Sequence, residues 1–109
     1  MESIKKNRDF KKVYGKKQSV ANRYLVLYIR RNGMSVNRLG ISISRKVGCA
    51  VVRNRIRRLI KEQMRLNEKA ITEGYDLVIV VRPAATEADF HQIGFSLAGL
   101  LDKQKLKKG

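Results

Sequence analysis

Arg53, Arg57, Lys61 and Arg65 follow one another at i, i+4 steps, and they are the residues in this chain whose type and spacing promise the most chemistry. On a helix turning about 100° per residue they project together, with Asn54 and Arg58 alongside. Like charges stacked at this spacing repel, so the stripe is stable only when something anionic meets it. Phosphate groups of a nucleic acid are such a partner. Asn54 adds an amide that both donates and accepts, which charge attraction alone does not require. Val52, Ile56, Leu59, Ile60 and Leu66 fall on the other side of the same helix and are predicted to face a core. Arg55 projects nearer Glu62 and Leu66, and is read as partly structural.

Catalytic chemistry is harder to find. The single histidine, His91, has no Cys or His nearby with which to share a metal, and is read as a surface residue. Cys49 lies in a turn beside Arg45 and Lys46, whose charges would lower a thiol pKa, but no histidine accompanies it. The nine acids are scattered; Glu87 and Asp89 read as first-turn charges facing a helix dipole. There is no phosphate-binding loop, dinucleotide turn or metal-ligand spacing. Binding is the more natural chemistry. Phe10 and Tyr14 stand side by side on a short helix. Tyr24 and Tyr28 share the outward face of a strand, alongside Ser42 and Ser44 of the next strand. Such a face offers stacking surfaces to unpaired bases, or else simply packs the first helix.

Composition agrees with a polyanion as partner. Lys and Arg number 25 against 9 Asp and Glu, a formal charge of +16, within a chain that is 43% hydrophobic. That balance describes a globular domain of 109 residues that attracts polyanions at long range, not a basic disordered tail. No apolar run is long enough to span a bilayer, so no membrane partner is expected. The N-terminus lacks the apolar stretch of a secretory signal, and one cysteine excludes an internal disulfide; both suit a cytoplasmic location. A DNA-binding role through the basic helix is disfavoured by the lack of a helix-turn-helix pattern or dimer seam, so no DNA partner is expected.

Six or seven elements must position these residues. Asn7 is predicted to cap a first helix over 8–15. Residues 24–30 alternate as a half-buried strand with Leu25, Leu27 and Ile29 inward. Asn32-Gly33 is the strongest turn signal, so strand 38–44 is predicted to return antiparallel beside it. The basic helix follows over 51–69. The run 75–81 is apolar enough for a central strand, and Pro83 ends it. Thr86 with Asp89 resembles a capping box before a final amphipathic helix built on Phe90, Ile93, Leu97, Leu100 and Leu101. With a short strand near 18–21, the expectation is an α+β single-domain sandwich: a four-stranded sheet and three helices in the order α-β-β-β-α-β-α. It would form one RNA-binding domain over 1–109, with 1–6 and 103–109 flexible.

The stretch RKVGCAVVRNRIRRLIKE (45–62) resembles the signature of the bacterial ribonuclease P protein subunit, whose hallmark is an Arg-Asn-Arg helix. Here that is Arg53-Asn54-Arg55, preceded by a Lys-x-Gly-x-Ala-Val turn (Lys46 to Val51) and followed by Arg57-Arg58. Asp9-Phe10, SVANRYLVLY (19–28) and LGISISRK (39–46) also match the family, and Cys49 departs from it where asparagine or another small residue is expected. The resemblance implies a ribosomal-protein-like fold with a left-handed β-α-β crossover around the basic helix. It implies a subunit of the endoribonuclease that removes the 5′ leader from precursor tRNA, with catalysis by the RNA subunit, which binds the Mg²⁺ in the main, and no catalytic side chain in the protein itself. Its partners would be that catalytic RNA subunit and precursor tRNA. Carried over by motif, Arg45, Lys46, Arg53, Asn54, Arg55, Arg57, Arg58, Lys61 and Arg65 would meet the RNA subunit. Phe10, Tyr14 and Tyr28, with Ser42 and Ser44 on the same face, would line the leader cleft. A ribosomal or RNA-chaperone protein without a ribozyme partner is the competing reading.

Overall fold

In a computed structural model that describes residues 1–108, one mixed sheet separates two helical layers of unequal weight. The chain runs β1 (Glu2–Ser3), α1 (Asn7–Gly15), β2 (Ser19–Ala21), β3 (Leu25–Arg31), β4 (Arg38–Ser42), α2 (Ala50–Asn67), β5 (Tyr75–Val81) and α3 (Phe90–Lys103). Single 3-10 turns at Glu68–Ala70 and Pro83–Glu87 link the last three of these. Strand order is β1-β4-β5-β3-β2. Three helices and an α+β sandwich are as expected, but the sheet has five strands rather than four.

The extra strand is β1, which pairs in parallel with β4 through Glu2 to Arg38 and Ser3 to Leu39. Two residues carry no periodicity to read, and their basic surroundings suggest a loose tail. Ile4, 5% exposed, anchors the segment instead, and its N–H donates to the Leu39 carbonyl at 2.9 Å. The C-terminal segment is tied down too: Leu106 is buried and its carbonyl accepts from Thr72 at 2.7 Å. Residues 1–6 and 103–108, expected to be flexible, thus hold defined backbone partners here; Gly109 lies outside the described residues.

The hairpin is the second correction. Asn32-Gly33 does turn the chain, with Gly33 at φ +70° and the Asn32 side chain accepting from Met34 N–H at 2.8 Å. Yet β3 and β4 are not neighbours. β5 lies between them, antiparallel to β3 and parallel to β4. Leu77, Val78 and Ile79 are wholly buried, so this run belongs where both faces are covered, and it takes the central slot. α2 is thus the crossover of a β4-α2-β5 unit between adjacent parallel strands.

The larger core lies on the α2–α3 side. Leu25, Leu27 and Ile29 of β3 meet Ile56, Ile60 and Met64 of α2 and Ile93, Leu97 and Leu100 of α3. Leu66, expected in this core, is 57% exposed. The buried face of α2 runs through Ile56, Ile60, Gln63 and Met64 at i, i+4, i+7 and i+8, and Leu66 falls to one side of it. The smaller core lies under α1, where Ile4, Val13 and Val78 are covered by Phe10, Tyr14, Tyr28 and Val80. Caps also differ from expectation. α1 starts after Lys6 with no side-chain cap, so Asn7 is its first residue. The capping box of α3 is Asp89 with Gln92, not Thr86 with Asp89. No helix among the described residues is long and apolar enough to cross a membrane.

Candidate nucleic-acid interface

The cationic residues of α2 divide by what already holds them. Asn54, Arg58, Lys61 and Arg65 are exposed, and Arg53 and Arg57 are half-buried. Arg57 reaches back to the Ile41 carbonyl of β4 at 3.4 Å. Arg65 is clasped by Glu62 through two bonds of 3.1 and 2.5 Å, which draw the Glu62 carboxyl below its ordinary pKa. Arg53 buries its Nε without a hydrogen-bond partner. Arg55 points elsewhere: it donates to the Thr86 and Ala88 carbonyls at 2.9 and 3.4 Å, pinning the 3-10 turn before α3. The helix wheel had already set Arg55 apart from the stripe.

Arg45 and Lys46 are exposed in the turn between β4 and α2, closed by Val47 N–H on the Ser44 carbonyl. No acid occupies the first turn of α2, so the partial positive charge of the helix start adds to these cations. Exposed Cys49 precedes that turn. The N–H groups of Val52 and Val51 lower its pKa, with Arg53 a lesser cause; Arg45 and Lys46, the expected cause, are not the source. Arg57, Lys61 and Arg65 line a groove of about 480 Å³ against the β1–β4 edge, together with Lys5. No periodicity in residues 1–6 marks Lys5 as part of this groove.

On the other sheet face, α1 lays an aromatic row over β3 and β4. Tyr14 meets Tyr28 edge to face, with ring centroids 4.9 Å apart and planes at 78°. Phe10 follows at 6.4 Å from Tyr14. A cleft of about 300 Å³ opens beside them, lined by Asn7, Phe10, Lys11, Tyr14, Ile41 and Ser42. Gly40 makes room for this row, because a Cβ there would come within 2.7 Å of the Phe10 ring. Of the residues expected there, Tyr28 and Ser44 do not line the cleft: Tyr28 packs against Tyr14, and Ser44 is exposed beyond the end of β4. Tyr24 is a clearer correction. It precedes β3 in a bend and packs against the α2–α3 core, so it does not share the face of Tyr28.

Besides the small core, an ion cluster that spacing alone does not reveal ties α1 to the sheet. Asp76 of β5 is wholly buried. It accepts two bonds from Arg38, at 2.8 and 2.6 Å, and one from Asn32 at 3.0 Å. Burial pushes its pKa up, but the Arg38 and Asn32 hydrogen bonds and the charges of Arg38 and Arg30 outweigh that, and the carboxyl lies below its ordinary range. Arg38 also reaches Asp9 of α1 at 3.6 Å, one residue before Phe10. The chain from Asp76 through Arg38 to Asp9 therefore ties the aromatic helix to the central strand. β4 serves both sites: Gly40 and Ser42 lie under α1, Leu39 lines the groove beneath α2, and Ile41 borders both.

Comparison with known proteins places this arrangement. A family profile described as Ribonuclease P matches residues 1–105. The ribonuclease P protein component of Caldanaerobacter subterraneus subsp. tengcongensis is 47% identical over 103 residues, covering 94% of this chain and 89% of its own length. That of Clostridium botulinum strain Loch Maree is 48% identical over 101 residues, covering 92% and 91%. Among solved structures, the Staphylococcus aureus RNase P protein superposes with a TM-score of 0.91 at 38% identity, covering 99% of each chain. The Thermotoga maritima RNase P protein gives 0.86 at 34% identity, covering 94% and 97%.

Proposed function

The chain belongs to the ribonuclease P protein component family, and from that premise we propose that its two surfaces hold two RNAs at once. As the protein subunit of ribonuclease P it takes part in 5′ maturation of tRNA within a ribonucleoprotein, which displaces the reading as a free-standing RNA chaperone. In this proposal the α2 face, with Arg45, Lys46, Arg53, Asn54, Arg57, Arg58, Lys61 and Arg65, docks on the catalytic RNA subunit. The cleft of Phe10, Tyr14 and Ser42, with Tyr28 packed against Tyr14 beside it, takes the single-stranded leader of precursor tRNA, whose bases stack on the rings. The observation that carries it is the arrangement around β4, which sets an aromatic cleft and a cationic helix on opposite faces of one strand.

Hydrolysis is assigned to the RNA subunit. Mg²⁺ bound there would act as a Lewis acid on the scissile phosphate and the attacking water, and this chain's donor set does not fit a site of its own. Among the described residues no three His, Cys, Asp or Glu side chains converge. Asp9 and Asp76 are engaged by Arg38, Glu62 by Arg65 and Glu73 by Lys108. The protein's part is electrostatic and positional. Its cations offset repulsion between two polyanions, and its cleft holds the leader in register with the cleavage point.

Reconstitution tests the proposal. Adding this chain to a bacterial RNase P RNA at low Mg²⁺ is expected to stimulate accurate 5′ cleavage of precursor tRNA. Absence of stimulation, with RNA binding retained, would favour a structural role instead.

A further inference from the structure

The sheet face opposite the cleft carries a second slot that neither the stripe nor the aromatic row uses. Phe95 of α3 is 85% exposed, the most exposed of the large apolar side chains among the described residues. It flanks a cavity of about 500 Å³ shared with Tyr24, Gly99, Arg23 and Lys103. Nothing lies within 4 Å of the place where a Cβ on Gly99 would sit, so the slot is open above that glycine. The Arg23 guanidinium lies over the Tyr24 ring at 5.7 Å from its centre.

The slot is built rather than incidental. Asn22 Nδ2 donates to the Ser96 carbonyl at 3.1 Å, and Ser96 Oγ donates to Asn22 Oδ1 at 2.9 Å. The same Oδ1 accepts from the Tyr24 and Leu25 N–H groups at 3.1 and 3.0 Å. These bonds lock the start of β3 to α3 and hold Tyr24 beside Phe95, so the cavity is formed before any ligand arrives.

Three occupants compete, and charge and shape choose among them. A second copy of this chain would press together two surfaces that each belong to a +16 molecule. An amphipathic acidic helix needs a groove that meets several anchors at i, i+3, i+4 and i+7, whereas the exposed face of α3 offers Phe95 alone, among His91, Gln92, Gly99 and Lys103. A flat aromatic base fits a single exposed ring, and its flanking phosphates fit cations. Lys103 forms no ion pair among the described residues, and Arg23 is held only by exposed Glu87 at 3.7 Å, a weak surface contact. We propose that this slot is a third RNA site, which takes one unpaired base stacked on Phe95 while Arg23 and Lys103 meet the adjoining phosphates. Lying across the sheet from α1, it works independently of the cleft, and stacking without base-edge contacts makes it tolerant of sequence.

The test uses isotope-labelled full chain titrated with hexaadenylate and with an abasic hexamer of the same charge, read at the amides of Gly99 and Tyr28. Hexaadenylate is expected to shift Gly99 saturably, and the abasic strand to leave it in place. Phe95→Ala removes an exposed ring. Gly99→Leu fills the slot from a position with open space, and circular dichroism checks that each variant remains folded. Both are expected to weaken the response of the amide at position 99 on the order of tenfold, with the Tyr28 response unchanged. An equal Gly99 shift with the abasic strand, or no loss in either variant, overturns the proposal. So does a Gly99 shift that follows protein concentration without RNA, which would assign the slot to a second copy. A failed leader reading would appear separately, as a silent Tyr28.

Discussion

Tyr28 stands where two elements meet. Its ring is edge-on to Tyr14 of α1, and its backbone pairs with Ser19 on one side and Val78 on the other. A half-buried ring in that position serves both packing and stacking, so the two must be separated by experiment. Tyr28→Ala is expected to weaken binding of precursor tRNA more than mature tRNA, by roughly 1–3 kcal/mol if one leader base stacks there. Equal losses for both substrates, in competition binding to the reconstituted holoenzyme, would mean the ring only packs α1. Tyr28→Phe keeps the π face and is expected to keep most of the discrimination. The alternation of residues 24–30 foretold the face of Tyr28 and misplaced Tyr24. Asn22 explains the difference: its side chain captures the N–H groups of Tyr24 and Leu25 and bends the chain just before the strand begins.

At the scale of the element, α2 shows how much periodicity can tell and where it stops. Its extent, its buried face through Ile56 and Ile60, and its cationic stripe follow from the 3.6-residue repeat. Which cations are free to meet RNA does not follow from that repeat, because it depends on carbonyls brought in by other segments. Arg55 and Arg58, three residues apart, should therefore separate two properties. Arg55→Ala removes charged hydrogen bonds to the turn before α3 and is expected to cost about 1.5–3 kcal/mol of stability in denaturant unfolding. Arg58→Ala, on the exposed side, is expected to leave the unfolding midpoint almost unchanged and to weaken RNA-subunit binding instead. The reverse pattern would remove Arg58 from the docking face. The hairpin misreading has the same origin: Asn32-Gly33 encodes a turn, but not which strand will be met after it.

At the scale of the whole molecule, Asp76 matters most, since the edge of one layer and the centre of another meet at its carboxylate. Its pKa in the folded protein lies below the ordinary carboxylate value, so it stabilises the fold above about pH 4, the unfolded value. That contribution is lost as pH falls through the lower folded value. Asp76→Asn is expected to flatten the acid side of the stability profile and to cost about 3–5 kcal/mol at neutral pH, because Arg38 is left without its buried counter-charge. Thermal unfolding between pH 2 and 7 checks both effects. If Asp9 and Arg38 position α1 as the geometry indicates, the variant also loses leader discrimination before it loses affinity for the RNA subunit. An unchanged acid limb would show that Asp76 does not govern it.

The place of β5 in the sheet has a consequence for how the chain is made. β3 and β4 have left the ribosome well before Tyr75, yet the strand that joins them is still to come. Until Val81 emerges, the two lack their common neighbour and the basic helix has no finished sheet to lie on. Assembly must wait for pairings distant in sequence, which makes it slow and all-or-none. A fragment ending at Thr72 is expected to show helix but no stable sheet by circular dichroism and hydrogen exchange; persistent strand protection would contradict this. Throughout that interval an unfolded, strongly basic nascent chain lies beside ribosomal RNA, and the late arrival of one apolar strand ends its exposure.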